Sequence, residues 1–174
     1  VIHRIICHMN KLCTFLFLTV LIGRDLNQSL QIAGDNSLEI KKAMSSVPLN
    51  QSKGMQWLIT HMPIEDLKNV KAEFLLLNSN IAHQARESTK WGQEIPENLF
   101  FSYVLPYANL NETVESWRLD FFNKFYPMVK DMQSAYDAVV FLNQKIFDEL
   151  GVIYSTKRPK ADQSPYESIN AGMA

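Results

Sequence analysis

Prolines set the grain of this chain. Pro48, Pro63, Pro96, Pro106 and Pro127 fall within a long region where apolar residues recur at spacings of three and four. That recurrence is the signature of amphipathic helices. A proline inside a helix removes a hydrogen bond and crowds the preceding turn, so each one marks a boundary. The pattern predicts a mainly α fold, an assembly of about six helices. Residues 26–33 are short and ambiguous, and 34–37 form a turn with helix-capping residues. The first helix covers 38–44. The second covers 52–62, with Met55, Leu58, Ile59 and Met62 on one face. The third runs from Glu65 to about Arg86 along a stripe of Leu67, Val70, Phe74, Leu77 and Ile81, and Trp91-Gly92 ends that segment. His83 falls off this stripe and is read as facing solvent. The fourth begins at Pro96 and ends before Pro106. The fifth runs from Asn111 through Trp117, Phe121, Phe122, Phe125 and Tyr126 and breaks at Pro127. The sixth spans 134–150, burying Ala135, Val139, Leu142, Ile146 and Leu150, with Gly151 as its cap.

Two composition facts narrow the function. The net charge is -1, so nothing draws the chain to nucleic acid or anionic membrane, and no basic stripe is interleaved with aromatics. The two cysteines, Cys7 and Cys13, and two of the four histidines, His3 and His8, lie near the N-terminus. No zinc or disulfide framework can be built from the remainder, so no metal or cofactor is expected. Lys11 precedes an apolar run from Leu12 to Ile22, too short to span a bilayer and with the polarity of a secretory signal. Residues 1–23 are therefore read as a leader and the chain as exported, to the periplasm or beyond.

Three features could carry chemistry. The aromatic set of Phe100, Phe101, Tyr103, Tyr107, Trp117, Phe121, Phe122, Phe125 and Tyr126 could form a platform for sugars or peptides. Its helical spacing favours a helix–helix core instead. Arg118 beside Trp117 could clamp a carboxylate; an ion pair with Glu115, Asp120 or another helix is the plainer reading. Glu-Ser dipeptides at Glu87, Glu115 and Glu167 raise a glycan-cleaving, transglycosylase-like reading. No nucleophile elbow, phosphate loop or dinucleotide fingerprint occurs. No residue of the chain is assigned a catalytic, cofactor-binding or metal-binding role.

The last stretch carries the most specific signal. Val152, Ile153 and Tyr154 read as a short strand, followed by a polar loop through Pro159. Ser164-Pro165 then supply an N-cap and first residue for a new helical turn reaching Gly172. Tyr154 to Lys160, with the Gln163-Ser164-Pro165-x-Glu167-Ser168-Ile169-x-x-Gly172 run, resembles the approach to the active site of secreted bacterial transglutaminase-like proteins. Tyr103 to Tyr107 and Trp117-Arg118 extend the likeness more loosely. In that family a nucleophilic cysteine follows the matching glycine by a few residues, with a histidine and an aspartate further on. The resemblance implies that residues 24–151 are a helical N-terminal domain and residues 152–174 begin an α+β papain-like core, with the chain stopping short of its nucleophile. Expected partners are that downstream core and a peptide or protein substrate. On its own the chain is expected to be inactive. A stand-alone secreted binding or adaptor module is the principal alternative.

Overall fold

The computed structural model describes residues 24–109 and 111–174. The leader, with Cys7, Cys13, His3 and His8, lies outside the described residues. The fold is mainly helical. Helix α1 (Leu26–Ala33) is the segment whose type the sequence left open; Asp25 and Gln28 close a capping box at its start. Helices α2 (Ser37–Ser46), α3 (Ser52–His61), α4 (Ile64–Asn69) and α5 (Ala72–Glu87) follow, then the short α6 (Lys90–Gln93). Helix α7 (Glu97–Leu99) passes directly into a wider π-helical turn, Phe100–Val104. Helices α8 (Trp117–Val129), α9 (Ala135–Leu150) and α10 (Pro165–Ala171) complete the chain. Among the described residues no helix is long and apolar enough to cross a membrane.

The main core lies between the first seven helices and the π-helical turn that follows them. Ile40, Met55, Ile59, Leu67, Leu75, Phe100 and Leu105 are completely buried there. Their removal from water is the principal stabilising term.

The single third helix predicted from Glu65 to Arg86 is two helices. Val70 is extended (φ -70°, ψ 137°), which separates α4 from α5. The cause is tertiary. Asn36 donates through Nδ2 to the carbonyls of Leu67 and Val70, both at 2.9 Å, at the end of α4. Glu39 accepts the backbone N–H of Ala72 at 2.9 Å, at the start of α5. These caps replace the bonds a continuous helix would make. The break turns α5, so Leu75, Asn78, Ser79, Ala82 and His83 face inward and Leu77 faces out.

His83 is thus buried, not solvent-facing. Its Nδ1 lies 2.8 Å from the carbonyl of Ser79. Its ring sits edge-on to Phe100 at 4.9 Å. Gly54 makes room, since a Cβ there would stand 3.1 Å from His83 Cε1. Burial holds the imidazole pKa below its ordinary 6.5, outweighing the raising pull of the Ser79 bond and of Glu87. A buried neutral histidine binds protons more readily when unfolded. Stability should therefore be full above about pH 6.5 and fall as pH drops below it. Urea midpoints between pH 7.5 and pH 5 will show this decline. His83→Gln should flatten it; an equal decline in that variant would assign the effect elsewhere.

Helix α8 also differs from expectation. It starts at Trp117, not Asn111, and continues through Pro127 to Val129. Residues 112–116 are not helical, and the side chains of Glu112, Thr113 and Glu115 are committed elsewhere, as described below. Pro127 is tolerated because it lies in the last turn, where only one backbone bond is lost, and Val129 beyond it is buried. In α9, Ser134 caps the start and Gly151 takes the left-handed cap (φ 67°). Its buried face is narrower than predicted: Ala138 is fully buried, Val139 is 64% exposed and Ala135 is exposed. The predicted strand at 152–154 is reduced to one parallel bridge between Ile153 and Met173.

Candidate functional site

The predicted loop around Tyr107 and Asn109 is organised by the Trp117-Arg118 pair. Trp117 Nε1 donates to the carbonyl of Tyr107 at 3.0 Å. Arg118 donates through Nη1 to the carbonyl of Val104 at 2.9 Å, and through Nη2 to those of Pro106 at 2.5 Å and Leu105 at 3.5 Å. Its Nε donates to Asn78 Oδ1 on α5 at 3.2 Å. Four consecutive carbonyls, 104 to 107, are thus received by two adjacent side chains. They lie where the Phe100–Val104 helix ends, the place where unpaired carbonyls and the helix dipole favour a cation. The expected ion pair of Arg118 with Glu115 or Asp120 does not form. Among the described residues Arg118 has no carboxylate partner. Glu115 and Asp120 are instead taken by Ser164 and Tyr166. Burial lowers the guanidinium pKa to about 10, so it stays charged at neutral pH. The tyrosine at the end of this loop is fixed too. Tyr107 is buried and donates its hydroxyl to Asp66 Oδ2 at 2.7 Å, and burial raises its pKa strongly.

The C-terminal segment docks on the residues that follow this loop, Thr113, Glu115 and Asp120. Ser164 is completely buried. Its hydroxyl donates to Glu115 Oε2 at 2.5 Å and accepts the N–H of Glu167 at 3.1 Å. Glu167 answers by accepting the N–H of Ser164 at 2.8 Å, which completes a capping box with Pro165 at the first helical position. Thr113 and Lys160 also donate to Glu167. Gly172 ends α10 in the left-handed region (φ 66°), where a residue with a Cβ would be strained. Beyond it, Ala174 donates to the carbonyl of Ile153 at 3.0 Å and Ser155 to that of Ala174 at 3.0 Å. The N-cap role predicted for Ser164-Pro165 and the capping role of Glu167 are thus seen in place. Ser164→Ala removes both the cap and the tie to Glu115. It should cost about 1–2 kcal/mol, with hydrogen-exchange protection lost first in residues 165–171. Unchanged protection there would show that apolar packing alone seats α10.

The capping role leaves little for Glu167 as an acid catalyst. Hydrogen bonds from Ser164 N–H and the Thr113 hydroxyl hold its carboxyl below the usual range. A general acid at neutral pH needs the opposite shift. Glu115 is engaged with Ser164, and Glu87 is exposed on α5.

Between the helical body and this C-terminal layer lies a cleft of about 610 Å³. Trp117, Phe121, Ile146, Phe147, Leu150 and Ile169 supply apolar walls, and Arg118, Glu112 and Gln163 supply polar groups. The aromatic set is therefore divided. Phe100, Phe101, Tyr107 and Phe125 are buried, as a helix–helix core requires. Trp117 and Phe121 are half-buried on the cleft wall, and Tyr103, 80% exposed, stands at its edge. Asn78 belongs to no motif and nothing in its spacing marks it; Gln163 opens the C-terminal run singled out in the sequence, where no role attaches to it. Among the described residues no group of three or more His, Cys, Asp or Glu side chains is placed to hold a metal ion. In comparisons with known proteins, the chain matches no family model, no curated protein and no solved structure.

Proposed function

We propose that this chain is the helical, non-catalytic portion of an exported transglutaminase-like cysteine enzyme, bracing the acyl-transfer core and fixing the approach to its nucleophile. The observation that carries this reading is the hold on residues 164–172. A buried, doubly bonded Ser164 and a left-handed Gly172 fix a short helix just where, by resemblance, the nucleophilic cysteine is a few residues away. In such an enzyme a thiolate stabilised at a helix N-terminus attacks an amide or ester carbonyl, the C–N or C–O bond breaks to release a protonated amine or alcohol, and a thioester acyl-enzyme remains. Imprecise entry to that helix would misplace the sulfur. The Trp117-Arg118 clamp fits a bracing role, since it fastens the start of α8, which carries the α10 partner Asp120, to the carbonyls of residues 104–107. Tyr136, Val139 and Tyr154 face outward with large apolar surfaces, consistent with a neighbouring body that covers them.

The test begins with the coding DNA. An in-frame cysteine within a few codons of Ala174, with histidine and aspartate downstream, is the expected result. The extended protein should then form a hydroxamate from a glutamine peptide and hydroxylamine, and lose that activity when the cysteine becomes alanine. No such residues in frame, or no acyl transfer and no amide hydrolysis by the extended protein, would end this reading. The cleft favours a second reading, a stand-alone exported adaptor. It predicts a cooperative monomer that binds a ligand without any downstream core.

A further inference from the structure

We propose that the extended segment 152–155 pairs antiparallel, edge to edge, with the same segment of a second copy of this chain, about a two-fold axis at Tyr154. This edge is half used. Ile153 donates to the carbonyl of Gly172 and accepts the N–H of Ala174, and Ser155 donates to the carbonyl of Ala174, each at 3.0 Å. Along an extended chain successive residues turn their main-chain groups to opposite sides. Those of Tyr154 therefore point away from residues 172–174, and among the described residues they have no hydrogen-bond partner. An open row of this kind is a template for a further strand. Its side chains are uncovered as well, Tyr154 being 74% and Ile153 66% exposed.

Charge selects the occupant and its direction. Lys157 and Arg158 follow the edge, and among the described residues neither has a carboxylate partner. Immediately before the edge, α9 ends on Asp148, Glu149 and Leu150. Glu149 is engaged by Lys124 at 3.5 Å, whereas Asp148 has no cationic partner among the described residues. Antiparallel pairing lays the end of one edge beside the start of the other. Each Lys157-Arg158 pair then meets the twin's Asp148 and the carbonyl end of its α9, where the helix dipole favours a cation. The two-fold axis makes this match twice. Parallel pairing would instead set the two basic pairs side by side, and like charges oppose it.

At the axis the two Tyr154 residues exchange both N–H···O bonds and their rings stand directly opposite, while Ile153 faces Ser155 of the twin. One isolated bridge per molecule becomes a continuous sheet of four short strands, and an isolated two-stranded pairing is marginal where three or more strands are not. The contact is small, so the dimer is weak and depends on concentration. Of the outward-facing residues named above, Tyr154 is thereby assigned to a twin, and Tyr136 and Val139 are left to another neighbour. The inference does not depend on the enzyme reading.

Sedimentation of the full chain from low micromolar to about 1 mM protein should show monomer passing into dimer. Added salt should weaken the dimer, and the Tyr154 amide should gain hydrogen-exchange protection as it forms. Asp148→Lys and Lys157→Asp each set like charges across the interface, so each variant alone should stay monomeric over that range. Mixed in equal amounts, the two variants should dimerise as tightly as wild type, because opposite charges then face each other at both ends. Both positions are exposed, so the folded chain tolerates either change. A wild-type chain that is still monomeric at the highest concentration overturns the proposal. So does a dimer that both single variants keep, or a mixture that remains monomeric. Tyr154 protection that appears only when residues beyond Ala174 are added would give the edge to that neighbour and remove the twin.

Discussion

Arg118→Met is expected to destabilise the protein by about 3–5 kcal/mol. Methionine keeps most of the length and apolar bulk, so the loss reports the guanidinium. Four acceptors go unanswered at once: the carbonyls of Val104, Leu105 and Pro106, and Asn78 Oδ1. Each buried acceptor left bare costs about 1–3 kcal/mol. Water entering from the adjoining cleft recovers part of that, so the sum is not reached. Arg118→Lys should rescue little, because one ammonium cannot reach carbonyls spread over a helix end. Trp117→Phe removes one bond only and should cost about 1 kcal/mol. Chemical denaturation of the four proteins side by side gives the ordering. If Arg118→Met lies within about 1 kcal/mol of wild type, solvent already satisfies these carbonyls and the clamp is incidental.

Phe100→Ala should be comparably severe, at about 3–5 kcal/mol. Phe100 is completely buried and is the first residue of the π-helical turn. Its ring contacts His83 edge-on, and the Arg86 guanidinium lies over it at 4.8 Å. Alanine leaves a cavity that neighbouring helices cannot close. Phe100→Leu fills most of it and should cost about 1–2 kcal/mol. A second readout separates packing loss from simple unfolding. With the ring gone, water reaches His83, its pKa returns toward the ordinary value, and the stability decline below pH 6.5 shrinks. An alanine variant that keeps the full decline would mean that the ring does not shield the imidazole.

Helix α3 and the ends of α9 were readable from the sequence because local signals agree there. Apolar spacing, a capping serine at Ser134 and a terminal glycine at Gly151 point the same way. The Ser164-Pro165 start of α10 was readable for the same reason. What could not be read depends on distant partners. The break at Val70 needs Asn36 and Glu39, which arrive from another helix. It also reassigns the buried face of α5, which is why His83 and Leu77 exchange roles. The late start of α8 has a similar origin. Glu112 accepts from Asn109, while Thr113 and Glu115 serve α10, so these residues are drawn out of a helix their types would permit. For the site, both halves of the clamp stood out in the sequence, at residues 103–107 and 117–118. Their mutual contact did not, because acceptance by main-chain carbonyls leaves no mark on side-chain identity.

The bridge between Ile153 and Met173 makes the intervening segment a closed ring. Its two feet are pinned together, while the exposed residues 161 and 162 lie near the middle of its length. Closing a loop whose ends are already fastened becomes only slowly harder as it grows, since the entropy rises with the logarithm of length. The crest of this ring is therefore the natural place to splice a tag, a fluorophore or a foreign epitope without unseating the helix at its base.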